Sequence, residues 1–234
     1  MNSTKAMAHR IGALYFIFMI LGIVGEFLFP RFMVPGDAAA TARNITAGEP
    51  TYRLGILLGI ATLVIFIFLV AGLYRLLRDA SRFHSMLMVL LVSTGIALAF
   101  TNLLLEFVPL MLLAGTDYMS VFTKPQLDAL ALGALKLHGD CAGVVTAFWG
   151  LWLLPFGILV IKSRFFPRIL GVLLMIAGLA YMVSSVTGVL FPEHKRMIFR
   201  LLMPLYLGEV PIIFWMMIMG AKARQAVTPP APAG

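Results

Sequence analysis

The sequence predicts an all-α polytopic membrane protein with six transmembrane helices and short helices in the loops at one end. Hydrophobic residues make up 61% of the 234-residue chain and charged residues only 12%, with a mean hydropathy of +0.99. A soluble domain is nearer half apolar and a quarter charged, so lipid must supply much of the solvent. The apolar residues gather into six runs, each near the roughly 20 helical residues that cross a hydrocarbon core of about 30 Å. The ten-residue alternating segments of a membrane β-barrel are absent.

The first span is expected over Ile11–Phe29, after an N-terminal tail of residues 1–10. Ala38 and Ala40 offer a signal-cleavage pattern. The apolar run before them nevertheless exceeds the roughly 7–15 residues of a signal peptide, so it is read as a retained helix. In the following loop Asp37 is a good N-cap, Ala38, Ala39 and Ala40 favour helix, and Gly48 is a stop. Span two, Leu54–Leu76, carries Gly55 and Gly59 at GxxxG spacing. Span three, Ser85–Leu113, places Asn102 and Glu106 four residues apart on one face.

Thr123 and Gln126 then form a capping box with Pro125 in the first turn. They open an apolar segment, Leu127–Leu137, that is either an interfacial helix or a lengthening of span four, with Gly139 marking the bend. Span four, His138–Ile161, repeats the GxxxG spacing at Gly139 and Gly143, which suits close helix packing within the bundle better than oligomerisation. Spans five and six are expected over Ile169–Leu190 and Leu201–Ala221. The transmembrane domain thus covers 11–221, and the remaining 222–234, Pro/Ala-rich from Thr228, is expected to be a disordered tail.

Basic residues set the orientation. Arg75, Arg78 and Arg82 form one compact turn and Lys162, Arg164 and Arg168 another, with Asp79 the one acid among them. Those turns and both termini are placed in the cytoplasm. The opposite loops mix Arg31, Arg43, Lys124 and Arg196 with Asp37, Glu49, Asp117, Asp128 and Glu193. The net charge of +8 belongs to span ends, where lipid headgroups are its partners, and nucleic acid is excluded. Cys141 stands alone, which rules out an intramolecular disulfide and a cysteine-based zinc site. The Asn44-Ile45-Thr46 sequon has no secretory context to support it.

Several stretches resemble a bacterial family of six-helix membrane proteins catalogued as a domain of unknown function (DUF4386). They include Val34-Pro35-Gly36-Asp37-Ala38-Ala39-Ala40-Thr41-Ala42, Arg53-Leu54-Gly55-Ile56, Leu137-His138-Gly139 and Phe148-Trp149-Gly150-Leu151-Trp152-Leu153-Leu154-Pro155-Phe156-Gly157. Pro167-Arg168-Ile169-Leu170-Gly171-Val172-Leu173-Leu174 and Gly208-Glu209 complete the set. The resemblance implies six helices in a bacterial inner membrane and implies no activity or cofactor. Family members often have Gly-Tyr-Gly after the His, whereas this chain has Gly139-Asp140-Cys141. That departure sets Asp140 apart from His138 and Glu209.

The residues that bear chemistry are the polar groups inside or bordering the spans, where an ionisable side chain is costly unless paired, protonated or hydrated. Glu209 is expected about 12 Å below the outer boundary at 1.5 Å per residue, with Tyr206 on its face and Arg53 or Arg200 as ion-pair partners. Glu26, Asn102, Glu106 and His138 are expected near the same end. His138, Asp140 and Glu209 form the one set that could be weighed as metal ligands, although Asp140 reads equally well as a helix N-cap. Trp149, Trp152 and Trp215 suit packing or interfacial anchoring, and the 15 methionines show no ligand-like spacing.

Three functions fit. The first is an outward-facing pocket lined by Glu26, Asn102, Glu106, His138 and Glu209 that binds or transports a small molecule or ion, although the spans show no inverted repeat or paired broken helices. The second is a metal-dependent intramembrane enzyme on a lipid-like substrate, which no HExxH or GxSxG pattern supports. The third is an accessory or sensory subunit with structural acids, acting through a homo-oligomer or a membrane partner.

Overall fold

In the computed structural model the length of the apolar runs sets the architecture and prolines set its breaks. It describes the backbone of residues 3–28 and 31–221 and the side chains within 4–25 and 31–221. The described residues form ten α-helices joined by turns and short 3-10 segments. Among the described residues six helical stretches are long and apolar enough to cross a membrane: Thr4–Gly25, Glu49–Leu77, Arg82–Leu113, Lys124–Ser163, Arg168–Leu190 and Pro192–Ile218. The protein is an all-α polytopic membrane protein.

The first span is α1 (Ser3–Leu28), which begins within the stretch expected as a tail. The short loop helix α2 (Ala38–Ala47) forms as its signals dictate, Asp37 Oδ1 accepting from the Ala40 backbone N–H at 2.8 Å. Span two is α3 (Glu49–Leu77), and span three is α4 (Arg82–Leu103) continued by α5 (Phe107–Leu113). Span four is α6 (Lys124–Leu151) followed by α7 (Leu153–Ser163), span five is α8 (Arg168–Leu190), and span six joins α9 (Lys195–Tyr206) to α10 (Val210–Ile218). The expected tail 222–234 lies outside the described residues.

Neighbouring spans pack in sequence round a ring: α1 on α3, α3 on α4, α4 on α6, α7 on α8, α8 on α9, and α10 back on α1. Tyr15, Phe66, Trp152, Phe156 and Ile212 are buried in the centre of that ring. Phe66 meets Trp149 and Trp152 edge-on with ring centres 5.3 Å apart, and Trp152 stacks on Phe156 at 5.3 Å. Two of the three tryptophans are therefore central packing residues. Outward-facing positions such as Leu57, Phe68, Leu90, Leu179 and Leu207 stay exposed and apolar, as lipid contact requires.

Two expectations are corrected here. The capping box at Thr123 does open a helix, but α6 runs unbroken through Gly139 and Asp140. The bend falls instead at Trp152, because Pro155 lacks an N–H and its ring crowds the carbonyl of Leu151. Asp140 therefore caps nothing; it is an exposed residue inside α6. The whole stretch of 40 residues measures about 60 Å, twice a hydrocarbon core and more than one crossing needs. The first half of α6 packs with α2 and α5 into a cap over one end of the bundle.

The close helix crossing also lies elsewhere than expected. A Cβ on Gly139 would meet nothing within 4 Å, and one on Gly59 would meet only the Leu103 side chain. The backbones meet at Gly150 against Gly178 and at Gly157 against Gly171, where an added Cβ would lie 2.5–2.7 Å from the facing carbonyl oxygen. Spacing of seven residues on both helices, two full turns, puts these glycines on one seam between the fourth span and α8. The Gly139–Gly143 face accommodates Lys195 instead, whose Nζ donates to the Gly139 carbonyl at 3.3 Å.

Candidate functional site

Glu106 and Glu209 each owe their place within a span to a proline. Pro109 cannot donate to the carbonyl of Leu105 and crowds it, so the third span tightens into a 3-10 turn over Leu104–Glu106 before α5 resumes. Glu106 ends that turn with a side chain 4% exposed. Its Oε1 lies 3.1 Å from His138 Nε2, on α6.

The second ring nitrogen fixes the protonation pattern. His138 Nδ1 lies 3.3 Å from the Asn102 carbonyl oxygen, which only accepts, so Nδ1 carries hydrogen and donates. In return Asn102 Nδ2 donates to the His138 carbonyl at 3.2 Å. Tyr52 on α3, fully buried, donates its hydroxyl to the Glu106 carbonyl at 2.9 Å. Within this cluster two buried oxygens are left without a hydrogen-bond partner, Glu106 Oε2 and the side-chain Oδ1 of Asn102. Both are acceptors.

The cap lies directly above. Phe32, Ile45, Ile56, Leu103 and Leu135 pack round Tyr52, with Leu110 and Leu113 against them. Phe32 meets Tyr52 edge-on, ring centres 5.2 Å apart. A recess of about 50 Å³ opens among Ile45, Thr46, Leu110, Leu113 and the Glu49–Arg53 ion pair. Leu110 lies one helical turn beyond Glu106. The recess has room for a few waters.

Glu209 stands in a second, different setting. Pro211 crowds the carbonyl of Leu207, and the sixth span tightens into a 3-10 turn over Leu207–Glu209. The half-buried Glu209 Oε1 accepts from the hydroxyl of Tyr15, a fully buried residue of α1. Tyr181 lies close enough to interact electrostatically with it, and Tyr206 stacks on Tyr181 with ring centres 4.5 Å apart.

The expected pocket is therefore two clusters. Asn102, Glu106 and His138 come together under the cap; Glu209 and Tyr206 belong to the tyrosine cluster. The side chain of Glu26 lies outside the described residues. Arg53 pairs with Glu49 at 2.7 Å rather than with Glu209, and Arg200 is exposed on α9. Among the described residues no group of three or more His, Cys, Asp or Glu side chains could hold a metal ion. His138, Asp140 and Glu209 do not meet. Tyr15, Tyr52 and Tyr181 were missed, and the signal available was a tyrosine hydroxyl within an apolar span, which needs a buried partner.

Fold and site together define a six-span helical membrane protein with a carboxylate at the proline break of its third span and another at that of its sixth. The chain belongs to the family described as a domain of unknown function (DUF4386), whose model matches residues 10–220. It is also similar to an uncharacterized protein of Archaeoglobus fulgidus, 31% identical over 83 residues, 36% of this chain and 48% of that protein. The chain thus matches about half the length of that relative. No solved structure matches.

Proposed function

We propose that this protein binds a small monovalent cation, an alkali-metal ion or a protonated amine, at Glu106 beneath its cap and carries it across the cytoplasmic membrane. The capped end faces outward and both termini face the cytoplasm, because the short turns at the other end are almost purely basic. The observation that supports the reading is the pair of orphaned acceptors, Glu106 Oε2 and Asn102 Oδ1. Leaving such atoms buried without a donor costs roughly 1–3 kcal/mol each. A ligand that donates hydrogen bonds or brings positive charge recovers that loss, whereas an anion would add to it. The His138–Glu106 contact gives the site a proton to exchange when the ligand arrives.

The test is thermal melting of the protein in mild detergent, titrated with sodium chloride and with methylammonium chloride at constant ionic strength. The expected result is a saturable rise in melting temperature with at least one of them. The rise should disappear in Glu106→Gln and persist in Asp140→Asn, whose side chain is exposed. A rise that survives in Glu106→Gln, or none with either probe, would remove the reading and leave the accessory-subunit role.

A further inference from the structure

Two of the three proline breaks within the spans set an acid in the same way; the third, at Trp152 ahead of Pro155, carries none. Leu103-Leu104-Leu105-Glu106-Phe107-Val108-Pro109 and Leu205-Tyr206-Leu207-Gly208-Glu209-Val210-Pro211 both set an acid at the end of a 3-10 turn, just ahead of the proline that causes it. One lies in the third span and the other in the sixth, the last span of each half of the chain. Odd and even spans run in opposite directions, so these two segments are antiparallel across the membrane. Glu106 stands about seven residues from the end of its span at Leu113 and Glu209 about nine from its end at Ile218, or roughly 10–14 Å. Glu106 therefore lies toward the capped end and Glu209 toward the basic end.

The surroundings repeat as well. Glu106 is met by His138 from span four and has Tyr52 of span two on its carbonyl. Advancing every span by three turns those neighbours into spans one and five, and Glu209 is met by Tyr15 from span one with Tyr181 of span five close by. Tyr15 falls near the middle of its stretch, and His138 lies about a third of the way along its own. Paired broken spans at corresponding positions of two inverted halves mark the binding region of many carriers.

We infer that the protein is an inverted pair of three-span halves, and that Glu209 with Tyr15 is a second cation site, reached from the basic end as Glu106 is from the capped end. The inference rests on the cation reading of Glu106 given above. The Glu209 carboxylate supplies the charge, and the Tyr15 hydroxyl donates to it. A site of each kind near each face is what a solute needs to enter on one side and leave on the other.

Carboxyl labelling from one side at a time tests it. Wild-type protein in sealed vesicles of known orientation receives a water-soluble carbodiimide and a membrane-impermeant sulfonated amine on the outside only. The carbodiimide activates a carboxyl oxygen as an O-acylisourea; the amine then forms the amide and the urea leaves. Peptide mass spectrometry reads the adducts, with Glu106→Gln and Glu209→Gln as blanks. The expected result is label at Glu106 from the capped end only and at Glu209 from the basic end only. Methylammonium at roughly ten times its dissociation constant should lower each about tenfold, since only the free site reacts. Label reaching Glu209 from the capped end, no label there from either end, or label that methylammonium leaves unchanged would overturn the inference. Protection at Glu106 reports on the first site and protection at Glu209 on the second, so the two readings fail separately.

Discussion

His138 and Glu106 hold one proton between them. The ring commits Nδ1–H to the Asn102 carbonyl at 3.3 Å, which leaves Nε2 and Glu106 Oε1, 3.1 Å apart, to share a single hydrogen whichever atom carries it. The pair is thus neutral as a unit in either state, which is how a carboxyl group is kept inside a bilayer without a fixed counter-charge. Removing one partner leaves the other buried and unmatched. His138→Ala should lower stability by about 1–3 kcal/mol, less than the 3–5 seen for fully buried pairs because the His138 side chain is 27% exposed. Glu106→Gln should cost a similar amount. The double substitution should cost clearly less than the sum, and a double-mutant cycle on denaturation in detergent measures the difference. Additive losses would mean the two side chains do not depend on each other.

At the seam of the fourth and fifth spans the expected effect of a methyl group depends on position. A Cβ on Gly157 would lie 2.5 Å from the Gly171 carbonyl oxygen, and one on Gly171 would lie 2.5 Å from that of Gly157. Backbone cannot yield as a side chain can, so Gly157→Ala and Gly171→Ala should each push the helices apart and cost about 1–3 kcal/mol. Gly133→Ala and Gly139→Ala meet nothing within 4 Å and should be neutral or slightly stabilising, by up to about 1 kcal/mol, through helix propensity. Melting of the four variants side by side distinguishes a packing seam from a general intolerance of substitution.

The contrast between those glycines shows what could be read from the chain. Six spans were legible because burying backbone in lipid demands long apolar helices, and the Asp37 cap and the Thr123–Gln126 box were legible because each is satisfied within a few residues. GxxxG spacing at Gly139 and Gly143 was equally visible but misleading, since spacing does not say which face meets a neighbour. The pairing of Glu106 with His138 and of Glu209 with Tyr15 depends on the rotation of four separate helices, which local pattern leaves undetermined. The depth of Glu209 was misjudged for a related reason. The sixth span starts at Pro192, not Leu201, because Lys195, Arg196 and Arg200 occupy one face of a helix that is apolar on the other. The paired breaks escaped notice because one residue fewer separates acid from proline in the second copy.

Tyr15 offers a further test of the second cluster. Its hydroxyl donates to Glu209 while its ring is buried against Phe18, Trp152 and Phe156, with ring centres 6.2–6.5 Å away. Tyr15→Phe keeps the ring and deletes only the donor, so the expected loss is about 1.5–3 kcal/mol, the range for a bond to a charged acceptor. Tyr15→Leu should cost more, because aromatic packing goes too. Phe and Leu variants with equal losses would show that the hydroxyl contributes nothing.

Lys195 separates charge from packing in the same way. Its Nζ donates to the Gly139 carbonyl at 3.3 Å while its methylene stem lies 3.8–4.0 Å from where a Cβ on Gly188 would stand. A long side chain of this kind contributes through the stem as well as the ammonium. Lys195→Met preserves most of the stem and removes the donor to an already bonded helix carbonyl, so it should cost no more than about 1 kcal/mol. Lys195→Ala empties the groove beside Gly143 and Gly188 and should cost about 1 kcal/mol more than the Met variant. If melting shows Met and Ala to be equally damaging, the ammonium and not the stem holds α9 against α6. The glycines of that face would then have no packing role with Lys195.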